Sequence, residues 1–241
     1  MRYPPLMHTD PHSIAIAAQG LGLQLTTRQA DLLSAHLIAV LETNESMNLT
    51  SIVADDAVSL HVLDSLTALG ALESAPAGVF ADLGTGPGYP GIPLSVVSGR
   101  AVALVESVKK KAAFLERIVG DLCLEATVHP IRAEELAIEM PGRFSAVTAR
   151  ALSSLPSLVE LASPLLGPGG LLICLKARMD EAELARGDAA ALLCGMQRMA
   201  LDRVHVPGAE VERVIVTYRK SAPPRVRLPR RPGMAQRQPL A

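Results

Sequence analysis

The sequence predicts an α/β fold, a mainly parallel sheet with helices on both faces, an antiparallel edge strand and an N-terminal helical cap. Three observations carry this. Short apolar runs of strand length recur from residue 79 onward, separated by segments long enough for helices. The first of these runs feeds directly into a glycine-rich loop, and the residues before it show helical rather than alternating periodicity. A length of 241 residues fits one such domain with an appendage. The expected units are a cap over 1–75, the sheet domain over 76–220 and a basic tail over 221–241.

In the cap, residues 1–12 hold Pro4, Pro5 and Pro11 and read as an irregular end. Thr26 and Gln29 have capping-box spacing, and Leu32, Leu33, His36, Leu37, Val40 and Leu41 follow at helical intervals. That helix is expected to stop near Asn44, with a turn at Asn48-Leu49-Thr50. A second helix is expected over 55–70, burying Leu60, Leu63 and Leu66.

The strands are expected at 79–83, 101–105, 126–131, 144–148 and 171–175. Residues 199–206 and 211–218 flank Pro207-Gly208 and read as two strands joined by a turn, which supplies the antiparallel edge. Hydrophobic residues make up 49% and charged residues 20%, which excludes a disordered chain, while 2% aromatics argues against stacked-base RNA platforms. The net charge of −1 hides an asymmetry. No acidic residue follows Glu212, whereas Arg213, Arg219, Lys220, Arg225, Arg227, Arg230, Arg231 and Arg237 do, a field that attracts phosphate or simply a solvated end.

Cys123, Cys174 and Cys194 form no CxxC pair, so neither zinc nor a disulfide framework is suggested and no metal is expected. No signal-peptide pattern and no membrane-length apolar run is visible. A cytoplasmic monomer that avoids membranes is expected.

The loop Asp82-Leu83-Gly84-Thr85-Gly86-Pro87-Gly88-Tyr89-Pro90-Gly91 carries the functional argument. Glycines after a strand let backbone approach a ligand, which in open α/β sheets lies beyond the strands' carboxyl ends. Gly86, Gly88 and Gly91 match the dinucleotide spacing, and alone such a match is weak. Asp82, placed to meet the ligand's ammonium or an ordered water beside it, and Pro87 and Pro90, which lack N–H donors for phosphate, favour S-adenosylmethionine over a pyrophosphate ligand. Glu106 follows the second strand at the distance suited to ribose hydroxyls, a feature both nucleoside ligands share. A loop-capping carboxylate is the alternative for Asp82, and a helix cap for Glu106.

Three segments, His61-Val62-Leu63-Asp64-Ser65, the glycine loop continued through Ile92-Pro93-Leu94, and Thr148-Ala149-Arg150-Ala151-Leu152-Ser153-Ser154-Leu155, together resemble the ribosomal RNA small subunit methyltransferase G family, also called glucose-inhibited division protein B. The ending Pro229-Arg230-Arg231-Pro232-Gly233 resembles that of its longer members. The resemblance runs from about Asn44 to the C-terminus. It departs at Met47, where members often carry an aromatic, and at Tyr89, where leucine or phenylalanine is common.

The resemblance implies a class I, Rossmann-like methyltransferase fold and S-adenosylmethionine-dependent methylation of guanine N7 in 16S ribosomal RNA, free or in an assembling small subunit. It also implies that the cofactor lies against Gly84 and Tyr89, with adenine near Ala133 and Glu134, and that Arg150 faces cofactor and substrate as the candidate catalytic group. Asp82, Gly86 and Glu106 complete the expected cofactor set.

Guanine N7 holds a free lone pair, so positioning rather than a base or nucleophile is expected to drive transfer. Arg150 is expected to touch O6, a phosphate or the cofactor's carboxylate, an ion pair with a nearby acid being the alternative. Lys109, Lys110, Lys111, Lys176 and Arg178 follow strands two and five and are candidates for RNA phosphates, alongside the tail. His61 and Asp64 belong to a family-like segment, but one turn apart on a helix they are close enough simply to pair with each other, and they receive no catalytic role. Two other classes stay open: an NAD(P)-dependent oxidoreductase, and a non-catalytic RNA-binding or ribosome-assembly module.

Overall fold

The computed structural model describes residues 9–241, so Pro4 and Pro5 of the expected irregular end lie outside the described residues. Helix α1 (Pro11–Ala18) begins sooner than expected, with the Asp10 side chain accepting from the Ser13 N–H as its N-cap. Helix α2 (Thr27–Met47) opens on the expected capping box. Thr26 Oγ1 accepts from the Gln29 N–H, and Gln29 Oε1 accepts from the Thr26 N–H at 2.9 Å. Ala30, Leu33, Ser34, His36, Leu37 and Val40 form its buried stripe.

The helix overruns Asn44 by a turn and ends where Asn48 turns left-handed at φ 50°. Asn44 instead fastens the following turn, its Oδ1 accepting from the Thr50 N–H at 2.8 Å. The second cap helix is not continuous. A 3₁₀ turn (Ala54–Asp56), a π-helical stretch (Val58–Leu63), the short α3 (Asp64–Leu66) and α4 (Leu69–Glu73) replace it. The widened winding redirects side chains that a straight helix would stack in register.

The sheet domain alternates as expected. β1 (Phe80–Leu83), α5 (Gly91–Ser98), β2 (Val102–Val105), α6 (Lys109–Asp121), β3 (Ala126–His129), α7 (Ala133–Glu139), β4 (Phe144–Arg150), α8 (Leu155–Ala162), β5 (Leu166–Lys176) and α9 (Glu181–Leu193) follow in turn. β6 (Met196–His205), β7 (Glu212–Lys220) and α10 (Met234–Arg237) complete the chain. The strands form one sheet in the order β3-β2-β1-β4-β5-β7-β6. β1 to β5 pair in parallel; β7 runs antiparallel to β5, and the edge strand β6 pairs antiparallel with β7.

Two apolar layers sandwich the sheet. One joins Leu83, Val147 and Cys174 to Leu158, Val159 and Ala190 of α8 and α9. The other joins Phe80, Leu104, Ile173 and Ile215 of the sheet directly to Ile14, Leu33, Leu37 and Val40 of the cap. The cap therefore shares its core with the sheet, and the carboxyl ends of β1, β4 and β5 open beside the π-helical stretch. Among the described residues no helix is long and apolar enough to cross a membrane.

Candidate functional site

At that end of the sheet lies a cavity of about 590 Å³, bordered by Gly84, Gly86, Asp64, Arg150, Lys176 and Arg213 among others. A narrower recess of about 60 Å³ sits on the other side of Gly84, between Ser107, Ala133, Leu152 and Gln236. Gly84 is common to both.

The glycine loop is a closed hydrogen-bonded unit. Gly84 and Thr85 donate their N–H groups to Val105 O, Gly86 to Glu106 Oε2, Gly88 and Tyr89 to Thr85 O, Gly91 to Asp82 Oδ2 and Ile92 to Gly88 O. Pro87 and Pro90 have none to give. Every backbone donor from Gly84 to Ile92 is thus spent inside the protein, and no nest of amides is left to hold a pyrophosphate.

Two of the glycines serve packing. A Cβ on Gly88 would stand 2.5 Å from Ile92 Cδ1, and one on Gly91 would stand 2.8 Å from Asp82 Oδ2. Gly86 differs: its φ of +57° suits glycine, and nothing approaches within 4 Å of where a Cβ would be. That open space faces the cavity.

Asp82 is a correction to the sequence reading. It is fully buried, its Oδ2 accepting from Gly91 and its Oδ1 from Thr148 Oγ1 at 2.8 Å. Burial pushes its pKa up to about 6 against these hydrogen bonds. The carboxylate braces the loop and the start of α5 rather than meeting a ligand's ammonium. Glu106 keeps the expected capacity. It accepts from Gly86 at 3.1 Å and from Val108 at 2.7 Å, and a carboxylate with about four lone-pair sites still has room for two hydroxyl donors. The open flank of Gly86, this carboxylate and the absence of phosphate donors fit a nucleoside without phosphate, as S-adenosylmethionine is.

Arg150 ends β4 and borders the cavity. Its Nη1 donates to Asp64 Oδ2 at 2.6 Å and to Leu60 O at 2.9 Å, and Nη2 lies 3.3 Å from His61 Nδ1. Two of a guanidinium's five donors remain for the cavity. Asp64, 1% exposed, also accepts from Nε of Arg213, so one buried carboxylate joins the cap to β4 and β7. His61 and Asp64, which helical spacing allows to pair, both meet Arg150 instead.

Tyr89 lies beneath. Its ring stacks on His61 with centroids 4.4 Å apart, tilts against His36 at 4.6 Å and sits 5.5 Å from the Arg150 guanidinium carbon. Burial depresses the pKa of His36 to about 4 and that of His61 to about 3, where the nearby Arg150 charge adds to the effect, so both are neutral. Neutral His36 then donates through Nε2 to Pro87 O at 2.8 Å.

The remaining expected residues divide. Ala133 and Glu134 border the recess, but Glu134 Oε1 accepts from the Gly233 N–H at 2.7 Å. Lys176 is not a free cation: it pairs with Glu183 at 2.8 Å and donates to Ser153 O. Arg178 is exposed on the cavity rim, and Lys109 and Lys110 are exposed at the start of α6 outside the cavity. Arg213 and Gln236 were not singled out by the sequence as site residues. Arg213 reads as part of a basic run until strand pairing places it on β7.

Among known proteins, a family model described as rRNA small subunit methyltransferase G matches residues 29–214. The chain is similar to "Ribosomal RNA small subunit methyltransferase G" of Pelotomaculum thermopropionicum, with 34% identity over 95% of this chain and 98% of the relative. It is also similar to the protein of that name from Sorangium cellulosum, 40% identical over 80% and 81% of the two chains. Among solved structures, the 1,6-didemethyltoxoflavin-N1-methyltransferase of Burkholderia thailandensis, with bound S-adenosylhomocysteine, aligns over 83% of this chain and 92% of its own, at TM-score 0.52 and 16% identity.

Proposed function

The chain belongs to the rRNA small subunit methyltransferase G family, and on that premise we propose that it methylates guanine N7 in 16S ribosomal RNA with S-adenosylmethionine in the cytoplasm. Family membership and 34–40% identity to proteins of that name support the enzyme class and its cofactor. Membership also removes the nicotinamide alternative. The observation that carries the ligand reading is the closed loop: with every N–H from Gly84 to Ile92 already donated, a phosphate-free nucleoside loses nothing there.

Glu106 is the residue to receive the ribose hydroxyls, and Gly84 and Gly86 the backbone that the nucleoside passes. The recess beside Ala133 suits the purine, and the larger cavity under Arg150 suits the reacting end and the target base. When bound, the sulfonium supplies an activated methyl group. N7 attacks with its own lone pair, so this chain has no proton to remove and contributes alignment in a partly desolvated cavity.

The methylated ring is cationic, and Arg150 is held to one side by Asp64, Leu60 and His61 rather than left to swing over the base. Its two remaining donors suit O6 or the cofactor's carboxylate. Lys109, Lys110 and Arg178 are the exposed cations placed for RNA phosphates.

The test is transfer of labelled methyl from S-adenosylmethionine to small-subunit RNA, with N7-methylguanosine identified by nuclease digestion and mass spectrometry. Calorimetric binding of the nucleoside is measured in parallel. No binding, or a methyl group found elsewhere, would overturn the proposal.

A further inference from the structure

The basic end of the chain does not trail away from the body. Leu228, Leu240 and Ala241 pack against the layer built on α8, and Ala235 is 2% exposed. Arg230 lays its guanidinium on the Glu160 carboxylate with both contacts at 2.6 Å, and Glu160 is 3% exposed. Nη2 of the same arginine donates to Gln238 O at 2.6 Å, closing the segment on itself.

Between these anchors Gly233, at φ +80°, gives its N–H to Glu134. The turn of α10 that follows brings the exposed side of Gln236 to the recess beside Gly84, Ala133 and Leu152. Two buried carboxylates on different helices therefore hold one segment at the mouth of one recess.

We propose that residues 228–241 form the outer wall of the purine recess, with Gln236 contacting the base edge and Glu134 acting as the latch that positions the wall. The proposal rests on the reading of that recess as the cofactor's nucleoside site. A carboxamide carries an acceptor beside donors, the complement of adenine's amino group and neighbouring ring nitrogen.

As it stands, the recess of about 60 Å³ has room for about two waters at ~30 Å³ each. Gln236 and Leu152, both side chains on rotatable stems, line it and can give way to a larger ligand. The wall is thus one that the ligand pushes open and then fills.

Calorimetry with S-adenosylhomocysteine, and with its analogue lacking the purine 6-amino group, tests this on the full chain. Gln236→Ala is expected to bind the parent nucleoside about 5- to 10-fold more weakly and to lose most of the wild type's preference for the 6-amino group. A merely structural role would leave that preference unchanged. A chain ending at Arg227 is expected to bind at least as weakly, and Glu134→Ala is expected to cost less affinity in that chain than in the full one, because its hold on the wall is already gone.

If the shortened chain fails to fold, exposed Gln236→Ala decides alone. Wild-type binding together with unchanged affinity and unchanged preference in Gln236→Ala would overturn the wall. Absence of binding to the wild type would instead overturn the function proposed above.

Discussion

Asp64, on the helical cap, accepts a 2.6 Å hydrogen bond from Arg150 at the end of β4, and it does so while 1% exposed. A second guanidinium, that of Arg213, shares the same carboxylate. Removing the charge leaves two arginines largely buried without an anion. Asp64→Asn is therefore expected to cost about 3 kcal/mol of stability, as broken buried pairs do. Turnover should fall further than cofactor affinity, because Arg150 loses its anchor. Urea unfolding and single-turnover methylation check both; an unchanged midpoint would show that the arginines are solvated.

Tyr89 offers the opposite case. Its ring is held between two imidazoles, yet its hydroxyl is buried without a hydrogen-bond partner. Tyr89→Phe keeps the stack and removes the unsatisfied group. Stability is expected to be unchanged or to rise by about 1 kcal/mol, a gain of the size of a desolvation cost relieved. Tyr89→Leu, which loses the stack, is expected to destabilise. Thermal melts of the two variants separate hydroxyl from ring.

Acid should loosen the site before it denatures the rest. His36 and His61 are held neutral, with pKa values near 4 and near 3 against 6.5 when unfolded. Between those values the unfolded chain binds more protons, so stability falls as pH drops below about 6.5. Asp82 works in the opposite sense. With a pKa near 6 against 3.8, the folded state holds the extra proton, and stability falls as pH rises from about 4 to about 6. Two histidines outweigh one carboxyl. Urea midpoints at pH 5 should lie below those at pH 7.5, and His61→Phe should flatten the difference.

Gly86 and Gly91 are expected to respond differently to alanine. Gly91→Ala sets a methyl 2.7 Å from Leu104 and 2.8 Å from the bracing Asp82, an overpacking of about 1–3 kcal/mol. Gly86→Ala meets no protein atom within 4 Å but must hold φ +57°, at about 1 kcal/mol. The loss of cofactor affinity should be the larger effect for Gly86 and the loss of stability for Gly91. Parallel calorimetry and urea unfolding check this.

What could be read in advance follows physical range. The alternating strands, the capping box at Thr26 and the loop after β1 depend on neighbours within a few residues, and their periodicity is visible in one dimension. The position of Glu106 just after β2 was legible for the same reason, lying at a fixed distance along a βαβ unit. Asp82 was misjudged because a carboxylate beside a glycine loop looks alike whether it faces ligand or backbone; only the Gly91 and Thr148 donors distinguish them. The His61–Asp64 pairing that helical spacing allows gave way to Arg150, which reaches both residues from the end of β4, far away in sequence. Arg213 and Gln236 reach the site only through long-range closure, which leaves no local mark.

The core that Phe80 and Leu104 share with Leu33, Leu37 and Val40 has a consequence for how this protein can change. Much of the N-terminal helices' interior is this shared layer, so exchanging them for another set would uncover part of a core that also holds α5 and α6 rather than swap a module. Substitutions in α2 that never come near RNA are expected to surface as lost catalysis, because the same packed layer sets where His61 and Asp64 stand. Diversification of the front end must then proceed in step with the β1 and β2 residues beneath it.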